Sequence, residues 1–174
     1  MSILVLSKYD SMNTTLLYNK IATYCDFFVA GALSTYVFVF GAEKTIMYTE
    51  KNKCKVDPEA RHFIPHASVL GHPVVIVEYQ KSSSKIKRIK KCLDKKIFNI
   101  PKIIVKHRAH IGMVMECISR YFQSKVIYID DNPENIMLSS QLVQPPNLLT
   151  LHYTKYSKSG KTTFNSLAGL YAYL

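Results

Sequence analysis

Two adjacent acidic residues, Asp130 and Asp131, directly follow an apolar run over residues 125–129. The run has the composition of a buried strand, so the two acids lie where a strand ends and its loop begins. Ligands of open α/β sheets bind at the carboxyl ends of strands, and carboxylates there suit a hard cation such as Mg²⁺. The pattern predicts a metal or phosphate site. The alternative is that Asp130 caps a turn and that Asp131-Asn132-Pro133 begins a helix.

The elements that would position these acids follow from the hydrophobic pattern. Short β-branched and aromatic runs alternate with segments of helical apolar spacing. Strands are predicted over residues 2–7, 35–41, 73–79, 101–105, 125–129 and 148–153, and helices over 13–28, 58–70, 85–97 and 110–122. Repetition of strand and helix implies parallel pairing with right-handed crossovers. We therefore expect an α/β fold, a three-layer Rossmann-like sandwich with a mostly parallel sheet, as one domain over residues 1–174. The polar stretch 43–56 predicts a turn or hairpin.

The charge of the chain favours polyanionic partners. It has 23 Lys and Arg against 12 Asp and Glu, a formal net charge of +11. Such a surface attracts nucleic acid, although an anionic membrane surface, an acidic protein or plain solubility would also account for it. The helix predicted over 85–97 places its apolar residues on one stripe and lysines on the rest. Its proposed phosphate-binding residues are Lys85, Lys87, Arg88, Lys90 and Lys91.

The cysteine spacing and the amino-terminal sequence indicate in which cellular compartment the protein is expected. Cys25, Cys54, Cys92 and Cys117 show no Cys-x-x-Cys spacing, which favours reduced, mostly buried thiols. No signal-peptide pattern is present, so an intracellular location in cytoplasm or nucleus is expected. The longest uncharged run is too short to span a bilayer. A small basic chain rich in Lys, Ile, Tyr and Asn is typical of a virus or another AT-rich genome, so association with a virion is part of the same hypothesis.

The order of these parts resembles the haloacid dehalogenase (HAD) superfamily of phosphotransferases over about residues 35–154. Residues 126–135 resemble the fourth motif of that superfamily, in which acids hold Mg²⁺. Residues 53–80 and the following Asn99-Ile100-Pro101 are most similar to the polynucleotide 3′-phosphatase branch. The resemblance implies a HAD-like domain with four motifs on successive strand ends, and it assigns the metal ligands to Asp130 and Asp131.

The first motif departs from the HAD pattern at the position that matters most. That motif reads Asp-x-Asp-x-Thr, and its first Asp is the nucleophile while its second is the general acid and base. The matching stretch here has Gly41 at the nucleophile position, Glu43 at the second acid and Thr45 at the threonine. A glycine has no side chain that could attack phosphorus. Covalent phosphoryl transfer through this position is therefore excluded.

The second and third motifs are also altered. Glu78 occupies the place of the Ser or Thr that would hold the transferring phosphate, and its negative charge would repel that phosphate. The third-motif lysine has no clear counterpart. Lys106, Arg108 and His110 are the nearest cationic candidates, and the first two are added to the predicted phosphate or nucleic-acid contacts.

A second phosphate-binding pattern in the tail is incomplete. Ser159-Gly160-Lys161-Thr162 resembles the end of a P-loop, in which backbone amides cradle phosphates. Lys155 stands where the first glycine of that motif is required, so we expect a basic loop instead.

Three altered motifs and one retained motif predict a pseudo-enzyme, a binding or structural module for nucleic acid or a protein assembly. No cofactor would be required, although Mg²⁺ could remain bound. The alternative is a Mg²⁺-dependent phosphatase acting on nucleic-acid 3′ ends or nucleotides. It would use Asp130 and Asp131 for metal and an unrecognised nucleophile such as Asp10. A third hypothesis is an assembly subunit that forms a homo-oligomer and binds nucleic acid weakly.

Overall fold

A parallel sheet with helices on both faces forms the centre of the protein. The computed structural model describes residues 3–28, 34–93, 99–143, 146–156 and 166–174. The strands, in chain order, are β1 (Leu4–Leu6), β2 (Tyr36–Phe40), β3 (Met47–Glu50), β4 (Lys53–Val56), β5 (Val74–Tyr79), β6 (Lys102–Val105), β7 (Lys125–Asp130) and β8 (Leu148–His152). The α-helices are α1 (Thr14–Cys25), α2 (Pro58–Val69), α3 (Ser83–Cys92), α4 (Ile111–Phe122) and α5 (Pro133–Ser139).

The main sheet has six strands in the order β1-β6-β5-β2-β7-β8, and every neighbouring pair is parallel. The predicted α/β class and sandwich are thereby confirmed. Alternate residues of β2 point to opposite faces of the sheet. Phe38 and Phe40 join one apolar cluster with α2 and α3, whereas Val37 and Val39 join a second cluster with α1 and α4. Burial on both faces explains why the strands are apolar throughout.

Polar side chains begin most of the helices where the sequence changes from loop to apolar spacing. Asn13 accepts hydrogen bonds from the first-turn amides of α1, and Ser82 does so for α3. Asp57 caps α2, and Asn132 caps α5; each is followed by a proline at the first helical position. These caps satisfy amides that have no partner within the helix. The helix predicted to begin at Asp131-Asn132-Pro133 is therefore present.

The strand order brings the predicted motif positions together. Because parallel strands end at one edge, Gly41 after β2, Glu78 in β5 and Asp130 in β7 lie at the same edge on adjacent strands. Lys106 follows β6, the next strand along. Asp10 follows β1, which is separated from β2 by two strands. The alternative nucleophile is therefore remote from the other candidates.

An antiparallel hairpin, β3 with β4, follows the first motif and confirms the hairpin predicted within residues 43–56. Its two turn residues, Lys51 and Asn52, both have positive φ, as a two-residue turn between twisted strands requires. Cys54 in β4 forms a disulfide with Cys92 at the end of α3, and their Cα atoms are 6.0 Å apart.

The expectation of reduced thiols is wrong for Cys54 and Cys92, because folding brings together residues that are 38 positions apart in sequence. It holds for Cys25 and Cys117, which are buried and free. The last residues of the helix predicted over 85–97 lie outside the described residues. The same is true of the P-loop-like segment 159–162. Within the described part of the chain, no helix is both long and apolar enough to cross a membrane.

The disulfide should stabilise the protein, because it joins residues that are 38 positions apart in sequence. Closing a loop of that length lowers the conformational entropy of the unfolded chain. We expect a reducing agent to lower the free energy of unfolding by about 2–4 kcal/mol. Urea denaturation with and without reductant measures this change. A Cys54→Ser/Cys92→Ser variant is the control and should not respond to reductant; equal unfolding curves for the wild-type protein would contradict the expectation.

Candidate active site at the carboxyl edge of the sheet

The side chain of Asp130 occupies the space that a nucleophile at position 41 would need. Asp130 is only 1% exposed, and the Gly41 amide is bound to the neighbouring strand through Ile129 O at 2.8 Å. A Cβ atom added to Gly41 would lie 2.7 Å from Asp130 Oδ2 and 2.8 Å from its Cγ. Such distances are well inside van der Waals contact. The glycine is therefore required by the packing of Asp130, and any larger residue must displace that carboxylate.

Three donors hold Asp130 in this position. The Tyr128 hydroxyl and Asn135 Nδ2, the latter at 3.3 Å, donate to Oδ2, and the Asn132 amide donates to Oδ1 at 2.9 Å. Burial and the charge of Asp130 raise the pKa of Tyr128 well above its usual range. The phenol therefore stays protonated and can donate, which satisfies a buried carboxylate without a cation.

Glu78 fills a second part of the site. Its Oε2 accepts hydrogen bonds from the backbone amides of Ala42 at 2.7 Å and Glu43 at 2.6 Å. Successive amides of this kind form an anion-binding concavity, and here the Glu78 side chain occupies it. Burial, together with the charge of Asp130, raises the pKa of Glu78 well above its usual range. Glu78 thus does more than repel a phosphate, because it occupies donors that a phosphate would use.

Asp131 completes a group of three neighbouring acids. Burial, the charge of Asp130 and a hydrogen bond to that carboxyl raise the pKa of Asp131 to about 7. The positive charge of Lys44 opposes this rise. Lys44 has a left-handed backbone conformation with φ of 58°. It is a cation of this site that the motif comparison did not single out.

Among the predicted third-motif candidates, Arg108 is the one that lines the site. It forms part of a pocket of about 180 Å³ together with Glu78 and Asp131. Its guanidinium lies 4.4 Å from the centre of the Tyr79 ring and 2.5 Å from Glu134 Oε2.

The other third-motif candidates do not line this pocket among the described residues. Lys106 is not among the described residues that line this pocket. His110 contacts Ser11 Oγ at 2.7 Å, beside β1.

The retained residues of the first motif are engaged in other contacts. Glu43 Oε1 lies 3.9 Å from Arg88 in α3, so this acid is partly neutralised by a helix on one face of the sheet. Thr45 is fully buried, and within the described residues its hydroxyl has no hydrogen-bond partner. Glu43 lines the same small pocket as Glu78 and Asp131.

The acids of this site are already engaged within the protein. Both oxygens of Asp130 accept hydrogen bonds, and within the described ranges no group of three His, Cys, Asp or Glu side chains has the geometry of a metal site. Mg²⁺ is usually held by one or two carboxylates and several waters, so a cation at Asp130 would compete with these hydrogen bonds for the carboxylate oxygens.

The cationic residues of α3 that were predicted to bind nucleic acid differ in their exposure. Lys85, Lys87 and Lys90 are exposed on α3. Arg88 is only half-exposed because it donates to Thr49 in the hairpin and faces Glu43. The sequence grouped these residues together, but the structure gives them different surroundings.

Tyr128 and Asn135 are site residues that sequence reasoning missed. Tyr128 reads as one more apolar strand residue, and Asn135 as an ordinary helical residue. The only signal was spacing: Tyr128 lies two residues before Asp130, on the same face of the strand, and Asn135 lies one turn into the helix that follows. The spacing alone does not show that these side chains donate hydrogen bonds to Asp130; the folded structure does.

Comparison with known proteins adds no family assignment. No family model matches the chain, and neither does any curated protein or solved structure.

Gly41→Ala should destabilise the protein by about 1–3 kcal/mol, because its Cβ would overlap the Asp130 carboxylate. In an Asp130→Ala background the same substitution should cost much less, since the atoms it meets are gone. An Asp130→Asn background is the matched control and should preserve the cost, because the amide has nearly the same size. Urea denaturation of the variants measures these free energies, and an equal cost in all backgrounds would contradict the predicted contact.

The raised pKa of Asp131 should make stability fall with rising pH. Between its ordinary value of 3.8 and about 7, the folded protein holds a proton that the unfolded chain has lost. The free energy of unfolding should therefore decrease across this window. Asp131→Asn should remove about 1–3 kcal/mol of that decrease between pH 5 and 8, as measured by urea denaturation at both values. Glu50→Gln, at an exposed hairpin carboxylate, should keep the wild-type slope. An unchanged slope in Asp131→Asn would oppose the assignment.

Proposed function

We propose that this protein is a catalytically degenerate HAD-like protein that acts as a binding or structural module. Its partners would be nucleic acid, a protein assembly or both, and no cofactor would be required. An all-parallel sheet with the four motif positions on adjacent strands supports the family resemblance. The net charge of +11 supports a polyanionic partner.

The observation that carries the proposal is the contact of Asp130 with Gly41. Phosphoryl transfer through an aspartyl ester needs a carboxylate that attacks phosphorus and room for the phosphate beside it. Position 41 provides no carboxylate, and the space beside it is filled by Asp130. The Ala42 and Glu43 amides, which could otherwise hold phosphate oxygens, are occupied by Glu78. In this proposal, three residues together prevent phosphoryl transfer: Gly41, Asp130 and Glu78.

The alternative, a Mg²⁺-dependent phosphatase, has less support. Its metal ligands would be Asp130 and Asp131, but both oxygens of Asp130 already accept hydrogen bonds from the protein. Asp10, the substitute nucleophile, accepts from the Ser7 amide at 2.7 Å and from Lys20 at 2.9 Å. It follows the edge strand β1, which is separated from β2 by two strands. It is therefore held in a local turn and separated from the other acids.

The proposal includes a location inside the cell or in a virion. The Cys54–Cys92 disulfide is compatible with the second setting, because disulfides persist on virion surfaces and are rare in the reducing cytosol.

The wild-type protein should release no phosphate from a generic aryl phosphate or from a 3′-phosphorylated oligonucleotide, with or without Mg²⁺. Gly41→Asp should also stay inactive, because its side chain would collide with the Asp130 carboxylate and Glu78 would still occupy the amides of Ala42 and Glu43. Colorimetric phosphate detection measures both substrates.

Release that depends on Mg²⁺ and disappears in Asp130→Asn would contradict the proposal and support the phosphatase alternative. The same assay on Asp10→Asn provides a second control, because only the alternative gives that residue a chemical role.

A further inference from the structure

A basic cleft lies between the β3–β4 hairpin and α3, with a volume of about 690 Å³. Residues of the hairpin, of α2 and of α3 line it. Its cationic lining residues are Lys53, Lys55, Arg61, Arg88 and Lys91. Lys53, Lys55 and Arg61 are absent from the nucleic-acid contacts that the sequence predicts, because they lie in different elements from the lysine-rich helix.

The cleft carries excess positive charge. No acidic residue is among its described lining residues. Lys55 pairs with Glu50, and Arg88 faces Glu43. Lys53, Arg61 and Lys91 make no salt bridge to any described residue. Three cations that converge without acidic partners favour an anionic ligand over internal ion pairing.

The walls of the cleft are held together before any ligand arrives. The Cys54–Cys92 disulfide joins β4 to the end of α3, and both cysteines line the cleft. Arg88 donates to Thr49 across the same gap. A cleft with fixed walls loses less conformational entropy on binding than a set of free lysines would lose.

An aromatic side chain lies among these cations. Tyr48 lines the cleft, and its ring stacks on Tyr156 with 4.6 Å between ring centres. A smaller adjoining pocket shares Tyr48 and Arg88 with the cleft. That pocket in turn shares Glu43 and Lys44 with the pocket at the edge of the sheet. The depression thus runs from the cleft towards the degenerate site.

We propose that this cleft binds the phosphodiester backbone of single-stranded nucleic acid. A cleft that combines cations with an aromatic ring is an arrangement that proteins use to bind single strands, since every base has a face that can stack. The phosphates would be held here because Glu78 occupies the backbone amides at the sheet edge. The inference rests on the proposed function, in that it gives a surface to its nucleic-acid partner.

Two variants with equal loss of charge test the cleft. The first, Lys53→Gln/Arg61→Gln/Lys91→Gln, removes the three unpaired cations of the cleft. The second, Lys85→Gln/Lys87→Gln/Lys90→Gln, removes three exposed lysines from α3. Binding of a fluorescent single strand of about 12 nucleotides is followed by anisotropy across a salt series, with the matching duplex as a second probe. Circular dichroism establishes that both variants remain folded.

We expect the first variant to lose about tenfold or more affinity relative to the second and to lower the salt slope by about two, because direct phosphate contacts release counterions. We also expect the wild-type protein to prefer the single strand over the duplex. Equal losses of affinity in the two variants, or equal affinity of the wild-type protein for single strand and duplex, would contradict the assignment of single-strand binding to the cleft. Either result would leave the nucleic-acid part of the proposed function intact. Failure of the wild-type protein to bind either probe would overturn the nucleic-acid part of the proposed function itself.

Discussion

The contact between a buried carboxylate and a residue without a side chain organises one edge of this sheet. Asp130 can approach the backbone of β2 because Gly41 has no Cβ. Once there, it is satisfied by a tyrosine hydroxyl, an amide side chain and a backbone amide. A buried carboxylate that has its hydrogen bonds is stable where an unpaired one would not be. At the position where the resemblance to the HAD superfamily would place a nucleophile, a neighbouring acid packs instead.

The charges of the molecule follow from this arrangement. Glu78, Asp130 and Asp131 concentrate acid at the carboxyl edge, and burial raises the pKa of Glu78 and of Asp131 so that the group need not be fully ionised. Anions are disfavoured there. Three cations that make no salt bridge to any described residue, Lys53, Arg61 and Lys91, instead line the cleft between the hairpin and α3. A fold that places its ligand at the ends of parallel strands would here have moved its attraction for phosphate to an adjoining surface.

Strand composition and the alternation of strands with helical segments were sufficient to predict the α/β sandwich, because apolar runs such as that before Asp130 must be buried on both faces. The absence of a side chain at Gly41 was also visible in the sequence. The space taken by Asp130 was not, since it depends on two strands that only the fold makes neighbours. The Cys54–Cys92 disulfide and the cleft beside it could not be predicted for the same reason. Both depend on the packing of the hairpin against α3, which the spacing of residues in the sequence does not indicate.

A crystal structure of the protein soaked in Mg²⁺ and inorganic phosphate tests the central claim most directly. The account predicts that Asp130 remains packed against Gly41, that Glu78 remains bound to the amides of Ala42 and Glu43, and that neither ion enters the site. Phosphate bound by those two amides with Glu78 displaced, or Mg²⁺ coordinated by Asp130 and Asp131, would contradict it and would restore the case for an active phosphatase.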